Sequence, residues 1–191
     1  DQSTSDMVVA MSSCIKPPVP EEEFNRALLS VCSLLAEDIV RNGEGTSHVM
    51  KVTVKGILDR SLASSIGKAV VNSPLVKTAI FGNDPNVGRI VSAVGDYLGN
   101  TGSDIDASGM KVRMGGIDIF YGGSFLLDQE KEKKLHDYMK ETSLNPVKKG
   151  YPSHERTLDI EIGFSDTSCE SVVIGSDISH EYIRENAEYR S

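Results

Sequence analysis

The feature that most constrains the fold is an alternation of helical and strand-type hydrophobic patterns along the first half of the chain. Apolar residues recur at helical spacing from Glu21 to Arg41, and the acidic first turn favours a helix N-terminus. β-branched residues then alternate over residues 48–58, which predicts a strand. Asp59 can cap a second helix that runs to about Asn72. This order predicts a layered α/β (α+β) fold with sheets packed between helices.

Two further apolar runs, residues 6–12 and 75–81, are short enough to be buried strands. Residues 82–86 predict a turn, and residues 87–98 resume helical spacing. The second half predicts strands at 111–114, 117–121, 158–164 and 171–175, a charged surface helix at 128–142 and a helical turn from His180. On this pattern the chain divides into residues 1–98, which carry most candidate site motifs, and residues 99–191, a smaller α/β region whose tail is expected to return to the site.

Composition argues against several classes of function. The formal net charge of −8 disfavours a phosphate backbone, and the lack of tryptophan leaves few stacking platforms, so nucleic acid is not an expected partner. Cys14, Cys32 and Cys169 are too widely spaced for a disulfide framework, and Cys32 is expected to be a small buried hydrophobe. No Cys or His spacing predicts a metal site, and no apolar run approaches the roughly 20 residues of a membrane span.

The turn at residues 43–47 is a candidate ligand contact because it places Glu44 between two glycines, after a helix and before a strand. Such backbone lets a ligand approach closely, and the carboxylate suits a substrate ammonium. An ordinary turn at the end of a helix, with Glu44 solvated, explains the same spacing. The alternatives also stay open for the polar cluster at residues 1–6, which fits either a ligand contact or a cap.

Residues 72–90, NSPLVKTAIFGNDPNVGRI, run from an apolar stretch through a turn into a helix. The carboxyl end of a strand in an α/β layer is a common position for ligands, and a helix N-terminus offers amides to an anion. The alternative is an ordinary turn in which Asp84 or Asn86 caps the helix. The segment lacks the glycine fingerprints of nucleotide-binding loops. At the C-terminus, Asn186 and Ser191 offer an amide and a hydroxyl if the tail folds into a cleft instead of fraying.

Four segments resemble, in order, the signatures of the ornithine acetyltransferase (glutamate N-acetyltransferase) family. DQSTSD at residues 1–6 is similar to the family's Asp-x-Ser-Thr-Asn-Asp motif, and NGEGTS at residues 42–47 is similar to its Asp-Gly-Glu-Gly-Ala-Thr loop. Residues 72–90 resemble its longest signature, and SDISHEYIRENAEYRS resembles its C-terminal signature. The resemblance therefore covers essentially the whole chain.

The resemblance implies the β-chain portion of a self-processing acetyltransferase of the N-terminal-nucleophile type. In that family one precursor is cleaved into α and β chains, and a threonine takes the acetyl group of N-acetylornithine and passes it to glutamate in arginine biosynthesis. The threonine is expected upstream of Asp1, so no catalytic residue is assigned on this chain. The resemblance further implies an α2β2 heterotetramer, no cofactor except acetyl-CoA as a possible donor, and a cytoplasmic location, or the mitochondrial matrix or plastid in a eukaryote.

Carried over residue by residue, the resemblance assigns Glu44, Asn186 and Ser191 to substrate binding. Glu44 would hold the cationic amine of ornithine, and Asn186 and Ser191 would bind the end that carries the α-carboxylate. Val87, His48 and Glu185 stand where the family more often has tryptophan, lysine and an apolar residue. These differences leave open a related N-acyl amino-acid amidase or an acyltransferase of secondary metabolism. A non-catalytic subunit is a third hypothesis.

Overall fold

The alternating apolar patterns form one mixed β-sheet in the computed structural model, which describes residues 7–165 and 169–188. Within this part of the chain the sheet has six strands in the order β4-β3-β2-β5-β1-β6. β1 runs parallel to β5 and antiparallel to β6. The strands are β1 Val49–Lys55, β2 Lys111–Met114, β3 Ile117–Tyr121, β4 Ser124–Phe125, β5 Leu158–Gly163 and β6 Glu170–Ser176.

Most of the helices begin at a side-chain cap. The caps Asp59, Ser73, Asn86, Asp128 and Ser179 each accept hydrogen bonds from amides of the following turn, which otherwise lack partners. The helices are α1 Glu21–Arg41, α2 Arg60–Asn72, α3 Pro74–Phe81, α4 Val87–Thr101, α5 Gln129–Thr142 and α6 His180–Ala187. Among the described residues, no helix is both long enough and apolar enough to cross a membrane.

The two faces of the sheet differ in character because successive side chains alternate along each strand. In β1, Met50, Val52 and Val54 are fully buried in the core, together with Leu158, Ile160 and Ile162 of the neighbouring β5. Side chains of α2, α3, α4 and α5 complete this core. The opposite face carries the intervening charged residues, which form cross-strand pairs such as Lys51–Asp159 and Lys55–Glu161. The core thus lies on one side of the sheet.

The sheet joins the two regions into which the sequence pattern divides the chain. β1 comes from residues 1–98, and its neighbours β5 and β6 come from residues 99–191. The division into these two regions stays a prediction.

The prediction of a buried strand at residues 75–81 is wrong, because this segment is the helix α3. Ser73 accepts a hydrogen bond from the amide of Val76, and Pro74 occupies the first helical position, which suits its fixed φ. The buried positions Val76, Ala79 and Ile80 follow helical spacing. Because these residues form no strand, the prediction of a ligand at the carboxyl end of a strand has no basis here.

The N-terminal predictions are only partly confirmed. The helix from Glu21 to Arg41 is confirmed, but it has no buried residue, and Cys32 is exposed instead of buried. Residues 7–12 form no strand and are also exposed, which corrects the predicted buried strand at 6–12, whose Asp6 lies outside the described residues. The physical reason is the same in both cases: no described element packs over these apolar side chains.

Close packing of α2 on β6 predicts a test of the fold. A Cβ at Gly175 would lie 2.8 Å from Cβ of Val71, an atom that cannot rotate away, so Gly175→Ala should lower the free energy of unfolding by about 1–3 kcal/mol. Gly163 lies in a strand too, but a Cβ there meets nothing within 4 Å, so Gly163→Ala should change stability by less than about 0.5 kcal/mol. Urea unfolding measures both, and equal effects would contradict this packing.

Candidate functional site

The loop between α1 and β1 is fixed against the start of α6. Gly45 adopts φ +71°, and a Cβ there would lie 2.3 Å from the backbone nitrogen of Tyr182, so only glycine allows this approach. Ser179, the cap of α6, donates its hydroxyl to the Gly45 carbonyl and accepts from the Tyr182 amide at 2.9 Å. The two glycines of the loop suggested that a ligand approaches this backbone closely. At Gly45, it is α6 that approaches the backbone closely.

A buried ion pair supports the other end of the same loop. The antiparallel register of β1 and β6 places His48 opposite Asp177, and His48 Nδ1 lies 3.0 Å from Asp177 Oδ2. Both side chains are almost completely buried, at 2% and 0% exposed. His48 Nε2 lies 3.1 Å from the carbonyl oxygen of Met139, so both ring nitrogens face acceptors. The ring of His48 is therefore held between the Asp177 carboxylate and the Met139 carbonyl.

Asp177 also holds the residue that precedes His48. Its Oδ1 accepts from the amide of Ser47 at 3.0 Å, and its Oδ2 accepts from the Ser47 hydroxyl. Lys77 of α3 lies in the field of the same carboxylate: burial lowers the pKa of the Lys77 ammonium, while Asp177 acts to raise it. One carboxylate therefore fixes two consecutive loop residues.

His154 closes the loop from the opposite side. Its Nε2 donates to the carbonyl oxygen of Ser47 at 2.9 Å, and its backbone amide donates to the carbonyl of Arg41 at 3.0 Å. Burial lowers the pKa of the His154 imidazole, and the charge of His48 adds to this effect. The Ser47 carbonyl, Asp177 and the Arg156 backbone oppose it. His154 is thus held as a neutral ring that donates from Nε2.

These contacts leave a cleft of about 500 Å³ beside the loop. Glu44 is exposed at its edge, and its carboxylate has no hydrogen-bond or ion-pair partner among the described residues. A free carboxylate on a backbone fixed at both ends can bind a cationic group without first breaking another contact. The residues that line the cleft are Arg41, Asn42, Gly43, Glu44, Gly45, Thr46, Ser47, Phe81, Leu144, Ser153, His154, Ser179, His180 and Glu181.

Two of the three residues assigned to substrate binding lie among the described residues, and the structure brings one of them into this cleft. Glu44 lies there, whereas Asn186 lies further along α6, outside the lining, and donates its side-chain amide to the Tyr182 carbonyl at 2.8 Å. Ser191 and the motif at residues 1–6 lie outside the described residues. The substrate-binding roles of Glu44, Asn186 and Ser191 stay predictions.

Residues 72–90 form a helix–turn–helix rather than a strand and a turn. Asn86 caps α4 by accepting from the Arg89 amide at 3.2 Å, and Arg89 Nη1 donates to the Leu75 carbonyl at 2.8 Å, which ties α4 to α3. The predicted cap at Asn86 is therefore confirmed, and a ligand contact by this segment stays a prediction. Phe81, at the end of α3, reaches the cleft and contacts the His180 ring with centroids 5.2 Å apart.

Sequence reasoning did not identify the residues that hold the loop, namely His48, Asp177, His154 and Ser179. Ser179 could have been found as a capping serine before a helical turn, and the other three carry no local motif. Across residues 7–165 and 169–188, no group of three or more His, Cys, Asp or Glu side chains is arranged to hold a metal ion.

The sheet and its helices define a mixed α/β protein. Its loop presents a carboxylate between two glycines in a cleft, which is a candidate cation-binding site. The sequence profile of the ArgJ family matches residues 1–191, and the chain belongs to that family. The chain is 38% identical to a glutamate N-acetyltransferase of Methanocaldococcus jannaschii and 34% identical to an arginine biosynthesis bifunctional protein ArgJ of Rhodococcoides fascians, with 99% of this chain covered each time.

The chain spans less than half the length of these relatives, 45% of the first and 43% of the second. Its fold matches the crystal structure of the arginine biosynthesis bifunctional protein ArgJ from Bacillus halodurans with a TM-score of 0.77 and 29% sequence identity. That match covers 99% of this chain and 83% of the solved chain. The predicted α/β fold class and the resemblance to the family are both confirmed.

Loss of the Asp177 carboxylate should destabilise the protein strongly. Asp177→Asn removes a buried carboxylate that contacts the His48 ring and accepts from the amide and hydroxyl of Ser47, so we expect the free energy of unfolding to fall by about 3 kcal/mol. Asp159→Asn is the control, because the Lys51–Asp159 pair is about half exposed, with a distance of 3.9 Å, and should contribute less than about 0.5 kcal/mol. Urea unfolding at neutral pH measures both variants. Equal losses would show that the buried pair does not support the loop.

The lowered pKa of His154 predicts an acid-sensitive stability. An unfolded histidine takes up a proton near its ordinary pKa of 6.5, whereas folded His154 does so only at lower pH. The contribution of the neutral His154 ring to stability is fully present above the pKa of the unfolded histidine. It is lost as the pH falls from there towards the lower pKa of folded His154. His154→Gln should therefore lose less stability than the wild type between about pH 7.5 and about pH 5.5. Parallel stability curves for the two proteins would contradict the shift.

Proposed function

We propose that this chain is part of an acetyltransferase that moves the acetyl group of N-acetylornithine to glutamate in arginine biosynthesis. Membership of the ArgJ family supports the proposal, as does similarity to relatives that are named glutamate N-acetyltransferase and arginine biosynthesis bifunctional protein. The chain spans less than half of those relatives, so the activity is assigned to the complete enzyme.

The observation that carries the proposal on this chain is the free carboxylate of Glu44 in the cleft. N-acetylornithine keeps a cationic side-chain amine after its α-amine is acetylated, and a carboxylate binds an ammonium through charge-assisted hydrogen bonds. The supports of the loop on both sides fix the backbone from which this carboxylate extends before the substrate arrives. Such preorganisation reduces the entropy cost of binding.

The proposed chemistry is covalent, with a threonine nucleophile upstream of Asp1. The threonine oxygen attacks the acetyl carbonyl, the amide C–N bond breaks, and the amine of ornithine leaves with a proton while an acetyl ester forms. The amine of glutamate then attacks the ester and releases the threonine hydroxyl. In this proposal the threonine is activated by its own α-amine, and an oxyanion hole comes from the partner α chain.

The proposed assembly is an α2β2 heterotetramer of chains cleaved from one precursor. It needs no cofactor for the exchange reaction, and acetyl-CoA is an alternative acetyl donor. A cytoplasmic location belongs to the same proposal. Asn186 and Ser191 are proposed to bind the end of the substrate that carries the α-carboxylate. For Asn186 this requires that the side-chain amide also reach substrate from α6.

The charge of Glu44 provides the test. In the complete processed protein, Glu44→Gln should lower kcat/KM for N-acetylornithine by about 10- to 100-fold, because a hydrogen bond to a charged group is lost. N-acetylnorvaline, which lacks the side-chain amine, should be a poor donor for the wild type and should show little further loss in the variant. Acetyl exchange with labelled glutamate, without acetyl-CoA, measures both.

Glu130→Gln is the matched control, because Glu130 is an exposed carboxylate on α5 that does not line the cleft. It should leave exchange unchanged. A complete, correctly processed wild type without exchange would refute the acetyltransferase, and release of free acetate alone would favour an amidase. A fully active Glu44→Gln protein would refute the role of Glu44 only.

A further inference from the structure

The helix α1 exposes an apolar stripe along its whole length. The five stripe residues are separated by three or four positions, so they share one side of the helix. Each of these side chains is between 46% and 57% exposed, and no residue of α1 is buried. The stripe consists of Phe24, Leu28, Val31, Leu35 and Ile39.

Other sides of α1 are apolar as well. Leu29 and Leu34 lie away from the stripe and are 69% and 62% exposed. A helix that is apolar on several sides is typical of a position inside a core, and isolated helices gain little stability from propensity alone. α1 therefore has the sequence of a helix that other elements cover on most sides, while the polar side that carries Ser33 stays open.

The segment before α1 continues this apolar surface. Met7, Val8 and Met11 are between 83% and 94% exposed, and Ile15 is 85% exposed. Monomeric proteins rarely leave such contiguous apolar residues in water, and larger patches mark interaction sites. We call residues 7–19 together with the exposed apolar side chains of α1 the N-terminal apolar surface.

The N-terminal apolar surface leads directly to the cleft. α1 ends at Arg41, which lines the cleft and is anchored there by bonds from its guanidinium to the carbonyls of His154 and Arg156, both at 3.2 Å. The loop that carries Glu44 follows at once. A partner that covers α1 therefore lies beside Glu44.

The charge on α1 argues against a second copy of this chain as the partner. Acidic residues occur near both ends of the helix, at 21–23 and at 37–38. A parallel pair of α1 helices would align residues 21–23 with their own copies. An antiparallel pair would bring them to the end that carries Glu37 and Asp38, where the basic residue Arg41 is already paired with Glu37. Either arrangement places like charges together, on chains that each carry a net charge of −8.

We infer that the N-terminal apolar surface is the docking surface for the part of the ArgJ polypeptide that this chain does not span. More than half of the length of both relatives lies outside the matched region, which is enough to supply a further apolar layer. The partner should offer an apolar groove with basic residues at the end that receives residues 21–23. The inference rests on the proposed function for its partner, and it adds where that partner binds.

Two exposed cysteines in this surface, Cys14 and Cys32, report on docking. The 191-residue chain is purified alone and after co-expression with the remaining ArgJ sequence as a separate tagged chain. Labelling by a thiol reagent, read by mass spectrometry, is compared at these two positions and at the partly buried Cys169. Both exposed thiols should be labelled at least about tenfold more slowly in the complex, with a smaller change at Cys169.

Leu28→Glu and Ser33→Glu provide the matched variants. Both introduce the same side chain at an exposed position of α1, but Ser33 lies on the side opposite the stripe. Leu28→Glu should weaken association by at least about tenfold, and Ser33→Glu should change it much less. Circular dichroism of each isolated variant should match the wild type, because neither side chain is buried in this chain.

Failure of the two chains to associate, or association that leaves Cys32 fully reactive, would overturn the docking surface. Self-association of the chain alone that Leu28→Glu abolishes would assign the surface to a second copy instead. These readouts need no acetyl transfer. Association as expected, together with no exchange by the complete and correctly processed protein, would therefore refute the proposed function and leave the docking surface intact.

Discussion

The buried contact between His48 and Asp177 is the interaction on which the candidate site depends. It joins the start of β1 to the end of β6, and the same carboxylate binds the amide and hydroxyl of Ser47. Because a buried carboxylate is costly unless it is hydrogen-bonded, the sheet register and the loop conformation favour each other. The position of Glu44 is thus a consequence of strand pairing in the core and does not rest on the loop sequence alone.

The sequence predicts the regular elements well where local chemistry and periodicity agree. The helix capped by Asp59 and the helix capped by Asp128 both combine a capping carboxylate with helical spacing. Strand 158–163 buries every second residue, and in strand 49–55 only Lys51 and Lys55 are not buried. The failure at residues 75–81 has a local cause. A short run that is apolar at nearly every position fits a strand and a buried helix equally, and the cap at Ser73 with Pro74 after it decides for the helix.

The candidate site was predictable only in part, for a topological reason. Glu44 could be chosen because its two neighbouring glycines are visible in the sequence. The groups that fix the loop are distant in sequence: Asp177 is 130 residues from Ser47, and His154 is 107 residues from it. Their proximity follows from β1 lying between β5 and β6, an order that no local pattern encodes. Conversely, the apolar residues between 7 and 39 form a pattern that is typical of buried segments. No element among the described residues packs over them.

That unpaired apolar surface bears on how Glu44 can act. A carboxylate in open water binds an ammonium weakly, because water screens the pair and both groups lose hydration when they meet. The same pair gains strength when the surroundings exclude water, provided that its hydrogen bonds are satisfied. Since α1 ends at the cleft, a partner docked on α1 would reduce the access of water to Glu44. Assembly and substrate binding would then be linked through one helix, and the free carboxylate of this chain would become selective for a cation only in the assembled enzyme.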